Sequence, residues 1–396
     1  MKVLKQIPGP VYFFIAAQAL GMLTAPMVIF VGGFIGVQIA PTPALATLPV
    51  AALVIGTALA SMPAAFIMQR IGRRQGFIYA TLVAILGSIL AIFSIRHELF
   101  WGVCLSIVLL GMHLAFVQQF RFAALEFVTA ELASITASII MIGGLFAAWF
   151  GPEIALWGKD LLEVDYSGSF VLLALCHMIL LLLLSVMAFA DVQENFSKTE
   201  GRPLSQLLKT PAIAAAIASA AVAYAVMSLI MTATPVSMSE IQNFALQDTK
   251  TVLQSHIMAM FLPSLFAPFL LKYIRTHTLL FLGLLAMVLA ITMAILDQSY
   301  WGYWFALVFL GVGWNFLFVG GTGLLAQSYA PSERFRIQGV NELMVFGTQA
   351  IASIAAGSIV FGFGWFALNL VSVPMLLVAL FFIGRWYFSS RSATTS

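Results

Sequence analysis

Six titratable side chains fall within or at the edge of long apolar runs: His113, His177, His256, Glu126, Glu153 and Glu342. A charge is costly in such a setting, so each of these groups pairs with a neighbour or stays neutral, a glutamate by taking up a proton and a histidine by giving one up. Histidine titrates nearest neutral pH, which makes it suited to carrying a proton through a cycle. Bond-making chemistry finds no support. There is no HExxH, no GxSxG and no pair of carboxylates within one apolar run. Cys104 and Cys176 both lie inside such runs and imply neither a disulfide frame nor a metal pair. No cofactor is implied. The remaining polar groups in apolar surroundings are neutral: Gln18, the i, i+4, i+8 stripe Tyr224, Ser228 and Thr232, and Asn315 beside Trp314 in a glycine-rich run from Gly311 to Gly321. Such groups face a cavity or a partner helix, although a single Ser or Thr also bonds back to its own helix.

The elements that position these residues follow from composition. Of 396 residues, 62% are apolar and 8% charged, against about 45 to 50% and about 25% in water-soluble domains. The mean hydropathy is +1.04. Lipid must therefore be the solvent for most of the surface, and apolar runs of about 20 residues without strand-like alternation choose helices. The net charge of +3 does not point to nucleic acid, because the basic residues lie in the short turns where membrane topology needs them. Lys2 and Lys5 before an apolar run resemble a signal peptide, but the run continues to about Ala40. An uncleaved first span is expected.

Twelve spans are expected, at about 11–39, 47–68, 76–95, 99–122, 132–154, 168–190, 212–232, 251–271, 278–296, 300–327, 337–360 and 365–387. Glu126 and Glu131 mark a loop before span 5, Trp157 to Ser167 a polar segment after it, and span 7 ends just before Pro235. The chain divides into an N-terminal six-helix bundle (1–190), a polar linker of mixed charge (191–211) and a C-terminal six-helix bundle (212–396). With twelve spans, all basic residues but Arg96, Lys159 and Lys250 fall on the side of the termini. That asymmetry makes both termini cytoplasmic, in a multi-pass membrane protein.

The turn between spans 2 and 3 reads Ala65-Phe66-Ile67-Met68-Gln69-Arg70-Ile71-Gly72-Arg73-Arg74. It resembles the signature G-x-L-x-D-R-x-G-R-R/K of the major facilitator superfamily, with Arg70, Gly72, Arg73 and Arg74 matching and Ala65 and Gln69 departing. The turn between spans 8 and 9, Lys272-Tyr273-Ile274-Arg275, is its weak repeat. In span 5, Gly143-x3-Ala147-x3-Gly151-Pro152 resembles the family's helix-5 motif, often associated with exporters; close helix packing is the other reading, with the proline breaking the last turn. Gly56, Ala60 and Ala64 of span 2 are read as packing in the same way.

The resemblance implies an all-α membrane protein, two pseudo-symmetric bundles of six helices with a substrate site between them. In that family helices 1, 4, 7 and 10 line the cavity. It then implies Gln18, His113, Tyr224, Ser228, Thr232, Trp314 and Asn315 as cavity groups, with His113 and Glu342 as candidates for proton coupling. Gln69, Arg70, Gly72, Arg73 and Arg74 would form a cytoplasmic gate, and Glu342 could pair there with Arg70 or Arg73. His177, amid leucines, is read as structural. The expected function is secondary active transport of a small organic solute, as a monomer coupled to protons. The aromatic content of 13% suits a flat or amphiphilic solute. Efflux of a drug or metabolite and uptake of a vitamin or siderophore-type molecule both fit. A non-transporting sensor or scaffold is the alternative, and it would require an output domain.

Overall fold

The computed structural model describes residues 7–128, 130–187, 189, 202–330 and 333–392. Among them every regular element is helical. In chain order these are α1 (Gly9–Ile39), α2 (Leu48–Ile71), α3 (Arg73–Arg96), α4 (Phe100–Leu125), α5 (Ala130–Lys159) and α6 (Ser167–Val186). Then follow α7 (Pro211–Val236), α8 (Leu246–Tyr273), α9 (Thr276–Leu296) and α10 (Tyr300–Ala326). The run Arg334–Ser392 breaks at Gly364 into α11 (334–363) and α12 (365–392). Among the described residues twelve long helices result. They gather into two compact units, one built on α1–α6 and the other on α7–α12. The linker sequence up to residue 201, Lys2, Lys5, and Pro331 and Ser332 of the turn before α11 lie outside the described residues.

Several helix ends differ from the sequence reading, each for a local reason. The basic turn after α2 is a single residue, Gly72, at φ +85°. A side chain would be strained there, and the glycine lets α3 begin at once. Arg70 therefore sits in the last turn of α2 and Arg73 in the first turn of α3. Gly364, at φ +81°, does the same between α11 and α12. Proline does not end α5: Pro152 lies inside a helix that runs on to Lys159 and already begins at Ala130, so Glu131 is helical and the expected polar segment is shorter. α7 likewise passes through Pro235 to Val236 and closes in a π turn, Ser237–Ile241. In lipid, neighbouring helices and local changes of pitch satisfy the carbonyl that a proline leaves unbonded. α1 bends at Leu23, where the peptide N–H bonds the Leu20 carbonyl and Pro26 cannot donate to Met22.

Close helix contacts hold each unit together. A Cβ at Gly143 would come 2.7 Å from the Ile15 carbonyl and 2.8 Å from the Ala19 nitrogen of α1. At Gly151 it would meet the Pro26 ring at 2.7 Å. The small residues of α5 are thus a packing face toward α1. Between α2 and α4 the approach is closer still: a Cβ on Gly56 would overlap the Val108 carbonyl, and one on Gly111 the Leu53 carbonyl. Without a hydrophobic force between helices in lipid, such contacts supply much of the association. The outward faces carry exposed Leu86, Leu182, Phe363 and Phe381, as a lipid-facing surface does.

Candidate functional site

In the N-terminal unit, α4 brings His113 to an interior position that is 1% exposed, where its ring meets that of His177 from α6 at 4.9 Å, edge to face. His177 is fully buried, and its Nε2 lies 3.0 Å from Thr24 Oγ1, one residue beyond the bend in α1. Either atom can be the donor, depending on tautomer. Both His113 nitrogens and His177 Nδ1 lack a hydrogen-bond partner among the described residues. The Ala80 backbone lies beside His113, outside hydrogen-bonding geometry. Spans 4 and 6 thus place their histidines together, a pairing that an isolated reading of His177 amid leucines does not reveal. Gln18 is buried on α1 against Gly143, and its carbonyl oxygen has no partner among the described residues. His256 differs: its Nδ1 donates to the Leu307 carbonyl at 2.7 Å, a bond that ties α8 to α10.

At the α2 to α3 turn, Gln69, Arg70 and Gly72 are exposed. Arg73 makes an ion pair with Glu126, its Nε at 2.6 Å, and Arg74 donates to the Ser185 carbonyl. Two arginines at a helix N-terminus oppose its dipole. The carboxylate and carbonyl offset that, and they tie α3 to α4 and α6.

The C-terminal unit gathers rings between α7, α10 and α11. Tyr224 of α7 stands roughly perpendicular to Trp314 and Phe318 of α10 and Phe346 of α11, with centroids 5.1, 5.4 and 5.9 Å away. Trp314 and Phe318, at i and i+4, stack 5.0 Å apart with planes 17° from parallel. Phe318 and Phe346 are absent from the sequence reading. The i, i+4 step from Trp314, and the step from Glu342 to Phe346, could have flagged them. Further along the same α7 to α11 seam, Thr232 and Ser353 hydroxyls bond at 3.0 Å. Such interhelical bonds contribute about 0.6 kcal/mol in a membrane. Ser228 lies between, with the Met227 sulfur at 3.9 Å. Asn315 spends its amide on α8, donating to the Met260 carbonyl and Ser264. Glu342 is half-buried on α11.

Outside the spans, the start of the short helix Leu204–Lys209 is tied to the turn before α11. Glu333 accepts from the Arg202 guanidinium at 2.8 Å twice, and from the Arg202 and Ala330 backbone at 2.9 Å. These bonds, the Arg202 side chain first, hold the Glu333 carboxyl at about 2 against an ordinary 4.5.

The sequence pattern of the Major Facilitator Superfamily matches residues 12–314. The chain belongs to that superfamily. As a major facilitator protein it is a multi-pass membrane transporter of a small solute, not an enzyme. It is 34% identical over 367 residues, 92% of each chain, to the riboflavin transporter RfnT of Brucella anthropi. It is 28% identical to the uncharacterized transporter YdeG of Bacillus subtilis, over 88% of this chain and 85% of that one. Among solved structures, a bacterial homologue of the human lysosomal transporter Spinster, in an inward-facing and occupied conformation, superimposes with a TM-score of 0.69 at 14% identity, covering 96% of each chain. At that identity the likeness carries the fold alone.

Proposed function

We propose that this chain imports an uncharged, flat, vitamin-type solute of riboflavin chemistry, by alternating access of its two bundles (1–190 and 212–396, joined by 191–211) across the bacterial inner membrane. The observation that carries this reading is the 34% identity to a riboflavin transporter along 92% of both chains. The rings on α7, α10 and α11, and the absence of basic residues from the apolar stretches of those helices, support a flat neutral cargo. Gly143 and Gly151 abut the α1 backbone, so the helix-5 motif has a packing role and gives no argument for export. The protein works as a monomer with both termini in the cytoplasm, and Gln69, Arg70, Gly72, Arg73, Arg74 and Glu342 belong to its cytoplasmic gate. Protons drive import, with His113 and Glu342 as the coupling groups. Gln18, Ser228, Thr232, Trp314 and Asn315 line or support the cavity with Tyr224.

The test is riboflavin entry into proteoliposomes holding the purified protein, with the outside made more acid than the lumen. Accumulation that collapses with a protonophore is expected, and His113→Ala should abolish it while leaving exchange down a gradient. Riboflavin movement indifferent to the pH gradient would remove proton coupling. No riboflavin movement from a folded sample would remove the substrate.

A further inference from the structure

We infer that Tyr224, Trp314, Phe318 and Phe346 form the platform on which the flat heteroaromatic ring of the solute stacks, with Gln349 and Ser228 beside it for the solute's neutral polar chain. This rests on the function proposed above and assigns the part of the cargo that each group takes.

Three observations carry it. The cluster spans three helices, yet it is not sealed as a core would be: Tyr224, Phe318 and Phe346 remain half-buried, packed over the buried Ala220, Ala221 and Val345. The half-buried Phe318 and Phe346 keep part of their ring surface outside the cluster, and aromatic stacking tolerates any flat π-system. Second, Trp314 is 4% exposed, and its indole N–H has no acceptor among the described residues. A buried donor without a partner is rare in a finished core, and a ring carbonyl of the solute would satisfy it. Third, the face that α11 presents to α7 alternates in a useful order. Phe346 meets Tyr224 at one end and Ser353 meets Thr232 at the other. Between them Gln349 is 9% exposed, with no protein hydrogen bond among the described residues. An amide and a hydroxyl beside a ring platform match a solute with a flat head and a hydroxylated chain.

The experiment is a titration of the purified full-length protein with riboflavin, whose fluorescence is quenched when its ring stacks on indole or phenol rings. Thermal unfolding of each variant is recorded alongside. The wild type should quench riboflavin saturably. Lumiflavin, which has the ring without the ribityl chain, should compete, and ribitol should not. Phe318→Leu and Phe346→Leu should each weaken binding on the order of ten-fold, while Phe318→Tyr and Phe346→Tyr keep it. The lipid-exposed Phe305→Leu should behave as wild type. If the two leucine variants bind riboflavin as tightly as wild type, the platform is wrong while the transport reading stands. Should they fail to fold, loss of binding in the folded tyrosine variants would equally overturn the platform. A wild type that moves riboflavin in proteoliposomes without quenching it also rejects the platform. One that neither moves nor binds it rejects both proposals.

Discussion

The two bundles place their intramembrane polar groups in different ways. In the N-terminal unit the titratable pair His113 and His177 is sealed inside one bundle, linked by Thr24 to the bend of α1. In the C-terminal unit the groups along the α7 to α11 seam are neutral but for Glu342. Thr232 and Ser353 bond across that seam and Asn315 bonds to α8, His256 is held by the Leu307 carbonyl, and the rings beside the seam are half-buried. A group that is to change protonation gains from being kept away from bulk water, where its charge state responds to the surrounding packing. A group that is to hold a neutral solute gains from open ring faces and unspent hydrogen bonds. Under the roles proposed above, the N-terminal pair serves coupling and the C-terminal rings recognition, although both bundles pack by the same small-residue contacts.

The largest expected effect tests the packing that both share. Gly111→Leu puts side-chain atoms into the Leu53 carbonyl, a backbone group that cannot rotate aside. The cost should be about 3 kcal/mol or more, seen as a lower unfolding temperature in detergent and poor recovery of folded protein. Gly347→Ala, whose Cβ meets nothing within 4 Å, should unfold with the wild type. A tolerated Gly111→Leu would mean that α2 and α4 do not approach as described.

The next effect sharpens the division of roles. If His113 and His177 act as one unit, His113→Ala and His177→Ala should each cut proton-driven accumulation at least ten-fold, and the double variant should be no worse than either single one. Additive losses would show two independent histidines. Neither substitution should alter riboflavin quenching by more than about two-fold, since the platform lies in the other unit; a larger change would break the comparison.

The smallest effect concerns the clasp outside the membrane. Glu333 has its carboxyl lowered to about 2 by Arg202. A depressed folded-state value means that its stabilising contribution is complete above 4.5 and is lost as the pH falls through about 2. Between those values the wild type should lose stability faster than Glu333→Gln, read as unfolding temperature against pH. Parallel curves would show that the clasp does not contribute.

How far each feature could be read from sequence follows from its range. The arginines of the α2 to α3 turn, the glycine at 72 and the apolar runs are local, and they name the family and the number of helices. Spans 5 and 7, expected to end at about 154 and 232, run on to Lys159 and Val236, because a proline in lipid interrupts one hydrogen bond without ending the helix. The site was partly legible. Tyr224, Trp314, His113 and His177 stand out as polar or aromatic groups in spans, whereas the pairing of the two histidines and the places of Phe318 and Phe346 appear only once their partners are known.

The sequence by itself determined that lipid is the solvent and that the chain crosses it as helices, because hydropathy is summed over neighbours in the chain. It could not determine which way each helix turns about its own axis. α7 and α10 are apolar all round, so no hydrophobic stripe marks an inner face. The tertiary structure made that choice through close backbone contacts at residues such as Gly56, Gly111 and Gly143. Those contacts go with the rotation that turns His113 toward His177, and in the other unit Gly311 against the His256 carbonyl and Gly321 against the Ala216 carbonyl go with those that turn Asn315 toward Ser264 and three rings toward Tyr224.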